Sequence, residues 1–241
     1  GACAQQTTRD GPPVVAALLQ NSPLLIELFY AAALGNFALL PVNHRLTPSE
    51  TDDVLLSSAA ELLVTSVGWL SKCESLAWCR SNGGRTLCQA DAAPDSSLDV
   101  RWLERLPVGV EGAVTTAPHP GPCVVEMFAT SGSTAVVKMV PHTDVAVLTH
   151  AAATMAALGL SASDEHCWAH CGPMFHVGDV AFVWVGLLIG ARHVFIENQL
   201  QLGLTVGTMA SEGVTITKLA PSMLALITES NALEGMVFPR L

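Results

Sequence analysis

Thr130-Ser131-Gly132-Ser133-Thr134-Ala135-Val136-Val137-Lys138 is a run of small and hydroxylated residues that ends in a cation. The apolar residues 123–129 in front of it read as a strand, and the apolar stretch 145–160 behind it reads as a helix. A strand that empties into such a turn is one way to hold a phosphate. Small residues let backbone N–H groups approach the anion, hydroxyls donate hydrogen bonds, and the lysine supplies a point charge. A Walker A loop has a second glycine directly before its lysine, and here Val137 stands there. The plain alternative is an ordinary Ser/Thr turn between strand and helix.

Working towards the N-terminus, the same strand-and-helix rhythm repeats. Residues 13–19 form a short apolar run that reads as a buried strand. Ser22 and Pro23 then open a helix, as N-cap and first helical residue, and Gly35-Asn36 closes it. Residues 37–42 read as the next strand. Thr47-Pro48-Ser49-Glu50 is a capping box that launches a helix to about residue 60, and residues 61–65 are a third strand. This succession predicts a parallel sheet covered by helices. Residues 69–101 are less regular, with one helix expected near 70–80, one strand near 85–88 and a helical turn at 101–105. Residues 108–122 are rich in Gly and Pro and read as a loop.

Towards the C-terminus, residues 166–171 read as a strand entering a turn at Gly172-Pro173. A helix is expected over 180–189, ending at Gly190, then a strand over 193–196 and a helix over 200–212. The alternation of residues 214–219 predicts a strand, and Pro221 starts a last helix to about residue 230. No internal repeat is present.

These blocks together resemble the AMP-forming adenylating enzymes, the acyl-CoA synthetase and luciferase superfamily. The loop Thr130-Ser131-Gly132-Ser133-Thr134, with Lys138 and Val140, is similar to that family's phosphate-binding signature. Asn21-Ser22, Ala32 and Gly35, then Pro41-Val42-Asn43-His44-Arg45-Leu46-Thr47-Pro48-Ser49-Glu50, match its N-terminal blocks. Pro173-Met174-Phe175-His176-Val177-Gly178 matches a further one. The pattern departs at Ala135, Val137, Met139 and Asp144, where the family has Gly, Pro, often Gly, and His.

The resemblance implies an α/β fold of parallel β-sheets flanked by helices, with residues 1–241 forming an incomplete N-terminal AMP-binding domain. It implies an acid–thiol ligase that activates a fatty or aryl carboxylic acid with ATP to an acyl-adenylate, and then to an acyl-CoA. ATP, Mg2+ and coenzyme A are the cofactors so implied, and a small-molecule carboxylic acid is the substrate. Thr130, Ser131, Gly132, Ser133, Thr134 and Lys138 are the implied nucleotide-binding residues, and His176 the implied residue of the substrate pocket. No catalytic residue and no metal ligand is assigned. The resemblance also leaves the family's adenine- and ribose-binding motifs and its mobile C-terminal domain outside this sequence, so a missing C-terminal half is expected.

The totals set bounds on the alternatives. Half of the 241 residues are hydrophobic and 13% are charged, enough for one large core or two small ones and too apolar for disorder. A net charge of −10 with no basic cluster argues against nucleic acid, so no nucleic-acid partner is expected. Seven irregularly spaced cysteines read as reduced thiols in a cytoplasmic setting. Residues 145–163 are long enough to reach across a bilayer, but Ala, Gly, Thr, Ser and His150 dilute them, so a buried helix is expected. Two rivals to the ligase remain. One is a non-catalytic nucleotide-binding or degenerate relative, suggested by Ala135, Val137 and Asp144. The other is a zinc-binding α/β domain, suggested by His166, Cys167, His170 and Cys171. On a strand those four residues split between two faces. Glu126 is assigned no role.

Overall fold

The computed structural model describes residues 11–81, 85–89, 100–102, 121–131, 137–162, 164–196 and 201–238. The chain divides into two compact units, one comprising Gly1–Leu18 and Tyr30–Asp144, the other Leu19–Phe29 and Val145–Leu241. Each has its own sheet and its own apolar core.

The first unit is built on a seven-stranded sheet. Its strands are β1 (Val14–Leu18), β2 (Ala38–Pro41), β3 (Leu62–Ser66), β4 (Thr86–Gln89), β5 (Val100–Trp102), β6 (Val124–Ser131) and β7 (Val137–Thr143), in the spatial order β5-β4-β3-β1-β2-β6-β7. All neighbours pair parallel except β6 and β7, which are antiparallel. Parallel strands covered on both faces read as continuous apolar runs, and Ala38, Leu39 and Leu40 are fully buried in that manner. Ala16, Leu18, Leu40, Leu55, Leu63, Cys73 and Trp78 belong to one core cluster.

The first two helices begin where the sequence says they should. Helix α1 (Pro23–Gly35) starts after Ser22, whose carbonyl and hydroxyl both accept from the Leu25 N–H, and ends at Asn36, which takes φ +54°. Helix α2 (Pro48–Ser57) carries the complete capping box. Glu50 N–H donates to Thr47 Oγ1 at 3.3 Å, and Thr47 N–H to Glu50 Oε2 at 2.8 Å. These bonds hold the Glu50 carboxyl below the usual carboxylate range.

Three expectations for this unit are corrected. The single helix expected near 70–80 is two, α3 (Leu70–Ser75) and α4 (Ala77–Ser81), broken at the extended Leu76. The break is held by Asp52, whose carboxylate accepts from the Ala77 and Trp78 N–H groups at 2.9 Å each and so caps α4. Residues 101 and 102 lie in β5, not in a helical turn, and 103–105 lie outside the described residues. Between the hydroxyl-rich loop and the following helix stands β7, which the sequence reading omits.

The second unit has a three-stranded parallel sheet of β8 (Cys167–His170), β9 (Arg192–Phe195) and β10 (Ile216–Thr217), in the order β10-β8-β9. Helices α5 (Asp144–Leu158), α6 (Val177–Ile189), α7 (Leu202–Ser211) and α8 (Pro221–Glu229) connect or follow the strands. Cys167, Ala169, Val194, Ile196, Met209 and Val214 form its core cluster. Helix α6 starts three residues earlier than expected, directly after the extended His176, and stops at Gly190 with φ +65°. The strand expected over 214–219 is reduced to two residues, paired with Trp168 and Ala169. The buried helix expected from residue 145 onward buries only Val147 and Ala151, a one-turn spacing that makes a narrow stripe, and leaves Val145, Leu148 and Leu158 exposed. Among the described residues no helix is long and apolar enough to cross a membrane.

Candidate functional site

Two places carry the residues singled out above, one in each unit. In the first unit, β6 and β7 form an antiparallel hairpin in which Thr130 is the register partner of Lys138, and Ser131 that of Val137. Thr130 Oγ1 donates to the Lys138 carbonyl at 3.4 Å. The described ends of the stretch, Thr130-Ser131 and Val137-Lys138, thus lie in paired strands, and the residue that follows Lys138 continues β7 rather than opening a helix. Gly132, Ser133 and Thr134 lie outside the described residues. Lys138 is exposed, and among the described residues it pairs with no carboxylate. A hydroxyl beside an ammonium that has no carboxylate partner among the described residues suits a phosphate.

Lower in the same hairpin, Glu126 Oε1 lies 2.9 Å from His142 Nδ1, and the two residues are also register partners. Glu126 is almost wholly buried, and Phe128 lies against the imidazole with ring centroids 5.6 Å apart. The carboxylate left without a role in the sequence thus helps tie the two strands together.

In the second unit, a cavity of about 340 Å³ opens at the carboxyl ends of the neighbouring parallel strands β8 and β10. Ligands in open α/β sheets bind at that end, because the loops leaving the strands diverge there. The segment after β8 supplies Gly172, His176 and Gly178, and the segment after β10 supplies Lys218, Met223 and Leu226. His176 is exposed, its backbone N–H donates to the Pro173 carbonyl at 3.0 Å, and its ring lies against Phe175. Cys171 also lines the cavity, and burial pushes its thiol up to about 11, so it is a neutral wall.

The turn that carries His176 is held from two sides. Asn21 Nδ2 donates to the Gly172 carbonyl at 2.6 Å, and Asn21 Oδ1 accepts from the Met174 N–H at 2.9 Å. Asp179, in the first turn of α6, accepts from the Gly172 N–H at 3.3 Å through Oδ1, and its Oδ2 lies 2.6 Å from His170 Nδ1. His170 Nε2 in turn lies 2.8 Å from His193 Nδ1. Burial, and then the charge of His170, lower His193 to about 4. This buried Asp–His–His chain, which positions the turn, is a feature that sequence reasoning missed. Its members sit on α6, β8 and β9, separated in sequence, and the only sequence trace of it is a histidine ending the otherwise apolar strand β8.

The same geometry lends the zinc alternative no support. His170 is committed to Asp179 and His193, His166 Nε2 lies 3.0 Å from the Ser161 carbonyl, and Cys171 Sγ lies 3.4 Å from Thr217 Oγ1. Among the described residues no three His, Cys, Asp or Glu side chains converge on a common point.

Comparison with known proteins gives a consistent picture. The family described as AMP-binding enzyme matches residues 8–239. The 2-succinylbenzoate–CoA ligase of Arabidopsis thaliana is 26% identical over 231 residues, which are 90% of this chain and 39% of that protein. The 4-coumarate–CoA ligase 1 of Oryza sativa subsp. japonica is 25% identical over 234 residues, 91% of this chain and 39% of that protein. The chain thus spans about two fifths of the length of these curated relatives. Among solved structures, the N-terminal domain of FACL13 from Mycobacterium tuberculosis superposes with a TM-score of 0.73 at 20% identity, covering 96% of this chain and 55% of that one. A luciferase-like enzyme from the mealworm Zophobas morio has a TM-score of 0.73 at 16% identity, covering 94% and 51%. These two likenesses establish the shared fold.

Proposed function

Because the chain belongs to the AMP-binding enzyme family, we propose that it supplies part of the nucleotide- and acid-binding domain of an adenylate-forming acid–thiol ligase. In such a ligase a carboxylate oxygen attacks the α-phosphorus of ATP. The bond to pyrophosphate breaks, and the acyl-adenylate forms. A thiol, that of coenzyme A, then attacks the acyl carbon and releases AMP. The work required of the protein is positioning and charge stabilisation.

The observation that carries this reading is the register of β6 and β7, which sets Lys138 opposite Thr130 at the two ends of the hydroxyl-rich sequence. Thr130, Ser131, Gly132, Ser133 and Thr134 would donate to the ATP phosphates, and Lys138 would place its ammonium on them. Mg2+ would enter on the nucleotide, as it does where substrate phosphates supply much of its coordination. His176 would line the pocket for the acid. The coumarate and succinylbenzoate ligases among the relatives support an aryl acid as substrate. A long-chain fatty-acid–CoA ligase of Thermus thermophilus, 25% identical over 209 residues, keeps an alkyl acid in view.

Calorimetric titration of MgATP into the wild-type chain and a Lys138→Ala variant tests the reading. The expected result is saturable binding by the wild type, weakened about tenfold or more in the variant. A folded wild-type chain that takes up no MgATP would refute nucleotide binding and leave a non-catalytic relative of the family.

A further inference from the structure

The cavity at the ends of β8 and β10 contains a cation that the family's blocks do not account for. Lys218 leaves β10 immediately after Thr217, and its ammonium donates to the Gly178 carbonyl at 2.8 Å. It also lies 5.3 Å from the centroid of the Phe182 ring. Lys218 is exposed, and the carbonyl and the aromatic face favour one position for its ammonium at the cavity wall. Gly178 permits this arrangement, since a Cβ there would stand 3.3 Å from Nζ. A Cβ there would require the ammonium to shift by a few tenths of an ångström.

Among the described residues Lys218 forms no ion pair. The acid that also lines the cavity, Asp179, is engaged elsewhere, by His170 at 2.6 Å and by the Gly172 N–H. It is 4% exposed and turned into that network. Lys218 keeps donors beyond the one given to Gly178. The rest of the wall includes Met223 and Leu226, and Cys171 is neutral. A mostly apolar cavity with one cation at its wall is complementary to an amphiphilic anion. The apolar body is buried, and the head group receives the charge. At about 340 Å³ the cavity is at the low end for small-molecule sites, which suits a compact aryl or short alkyl body.

We propose that Lys218 is a specificity-determining residue of this cavity, which takes a compact amphiphilic carboxylate with the carboxylate on the Lys218 ammonium. This rests on the reading of the chain as the acid-binding part of a ligase. It adds the residue that distinguishes an acid from its neutral isostere.

The test is titration of cinnamate and of cinnamamide, its neutral isostere, into the 241-residue chain and into Lys218→Met and Lys218→Arg variants, followed by ligand-observed NMR. The wild type should prefer the acid by about tenfold, as for a charge-assisted hydrogen bond. Lys218→Met should retain the amide and lose the preference, and Lys218→Arg should keep part of it. Equal affinity for the two ligands, a preference that survives in Lys218→Met, or no uptake of either by folded wild type would each overturn the proposal. MgATP titrated into the same wild-type samples separates the two readings. Nucleotide binding without acid preference removes this inference alone, whereas acid preference without nucleotide binding removes the ligase reading and leaves an organic-anion site.

Discussion

His170 Nδ1 lies 2.6 Å from Asp179 Oδ2, and both side chains are buried. Removing one member of a buried hydrogen-bonded pair leaves the other unsatisfied, at a cost of about 1–3 kcal/mol. Asp179→Ala should therefore lower stability by about that much in urea unfolding. It also frees the Gly172 N–H and with it one of the two anchors of the His176 turn. Asp179→Asn keeps an oxygen for that N–H and should cost less. Equal losses in the two variants would mean that the bond to Gly172 contributes nothing.

The same chain makes stability depend on pH. His193 is held near 4 by burial and by the neighbouring charge of His170, with Asp179 opposing. In the unfolded chain it titrates near the ordinary value of about 6.5. Above that value both states are neutral at this residue and its contribution is fully present. As the pH falls from about 6.5 towards 4 the unfolded state gains a proton that the folded state refuses, so stability falls. The urea midpoint should decline across that window. His193→Gln, which offers His170 a polar partner and does not titrate, should flatten the decline.

Gly186 is shaped to the same histidine. A Cβ on Gly186 would come within 2.6 Å of His193 Cε1 and 3.1 Å of Nε2, and the ring is held by its contact with His170. Gly186→Ala should then destabilise by about 1–3 kcal/mol, as overpacking does. In a His193→Ala background the clash disappears. The two substitutions should be non-additive in a double-mutant cycle, whereas additive costs would mean that the ring moves aside freely.

These contacts mark where the sequence stopped being legible. The capping box could be read from Thr47 and Glu50 alone because its partners are three residues apart, and both of its bonds are formed. Strands β1, β2 and β3 were legible because buried parallel strands are continuous apolar runs. Strand β7 was not, because Lys138 and Pro141 interrupt it. They are tolerated because β7 lies at the edge of the sheet, where charge and proline blunt further pairing. The alternation of Val137 and Met139 inward with Lys138 and Val140 outward was the missed clue. In the candidate sites, His176 was visible through its neighbours in sequence. Lys218 was hidden, because in the alternation of residues 214–219 a lysine reads as a solvent-facing strand residue. Only the early end of β10 brings its ammonium to Gly178.

Ala59 offers a gain in stability. Helix α2 ends with Ala60 N–H donating to the Leu55 carbonyl at 3.1 Å and Ala59 N–H to that of Leu56 at 3.0 Å, and Ala59 takes φ +54°. This is the closure in which glycine is usual, because a Cβ crowds the backbone there. Relief of that strain outweighs the greater freedom of glycine in the unfolded chain, so Ala59→Gly should stabilise by about 0.5–1 kcal/mol. A lowered melting temperature in the variant would contradict this account.

Lys138 is the residue at which loss of binding can be separated from loss of fold. Its side chain is exposed and has no described ion pair, so Lys138→Met should change stability by no more than about 0.5 kcal/mol. If Lys138 serves the nucleotide, MgATP affinity should nevertheless fall sharply. The complication is the position of Lys138 on an edge strand next to the exposed Val140. There a charge also discourages pairing with a second chain. Lys138→Arg retains that charge while altering how an ammonium-sized site meets phosphate. Sedimentation should find the Arg variant as monodisperse as wild type and the Met variant more prone to associate. Weakened MgATP binding in a monodisperse, stable Lys138→Arg chain would assign the loss to phosphate contact. Unchanged binding in both variants would leave Lys138 the edge-protecting role alone.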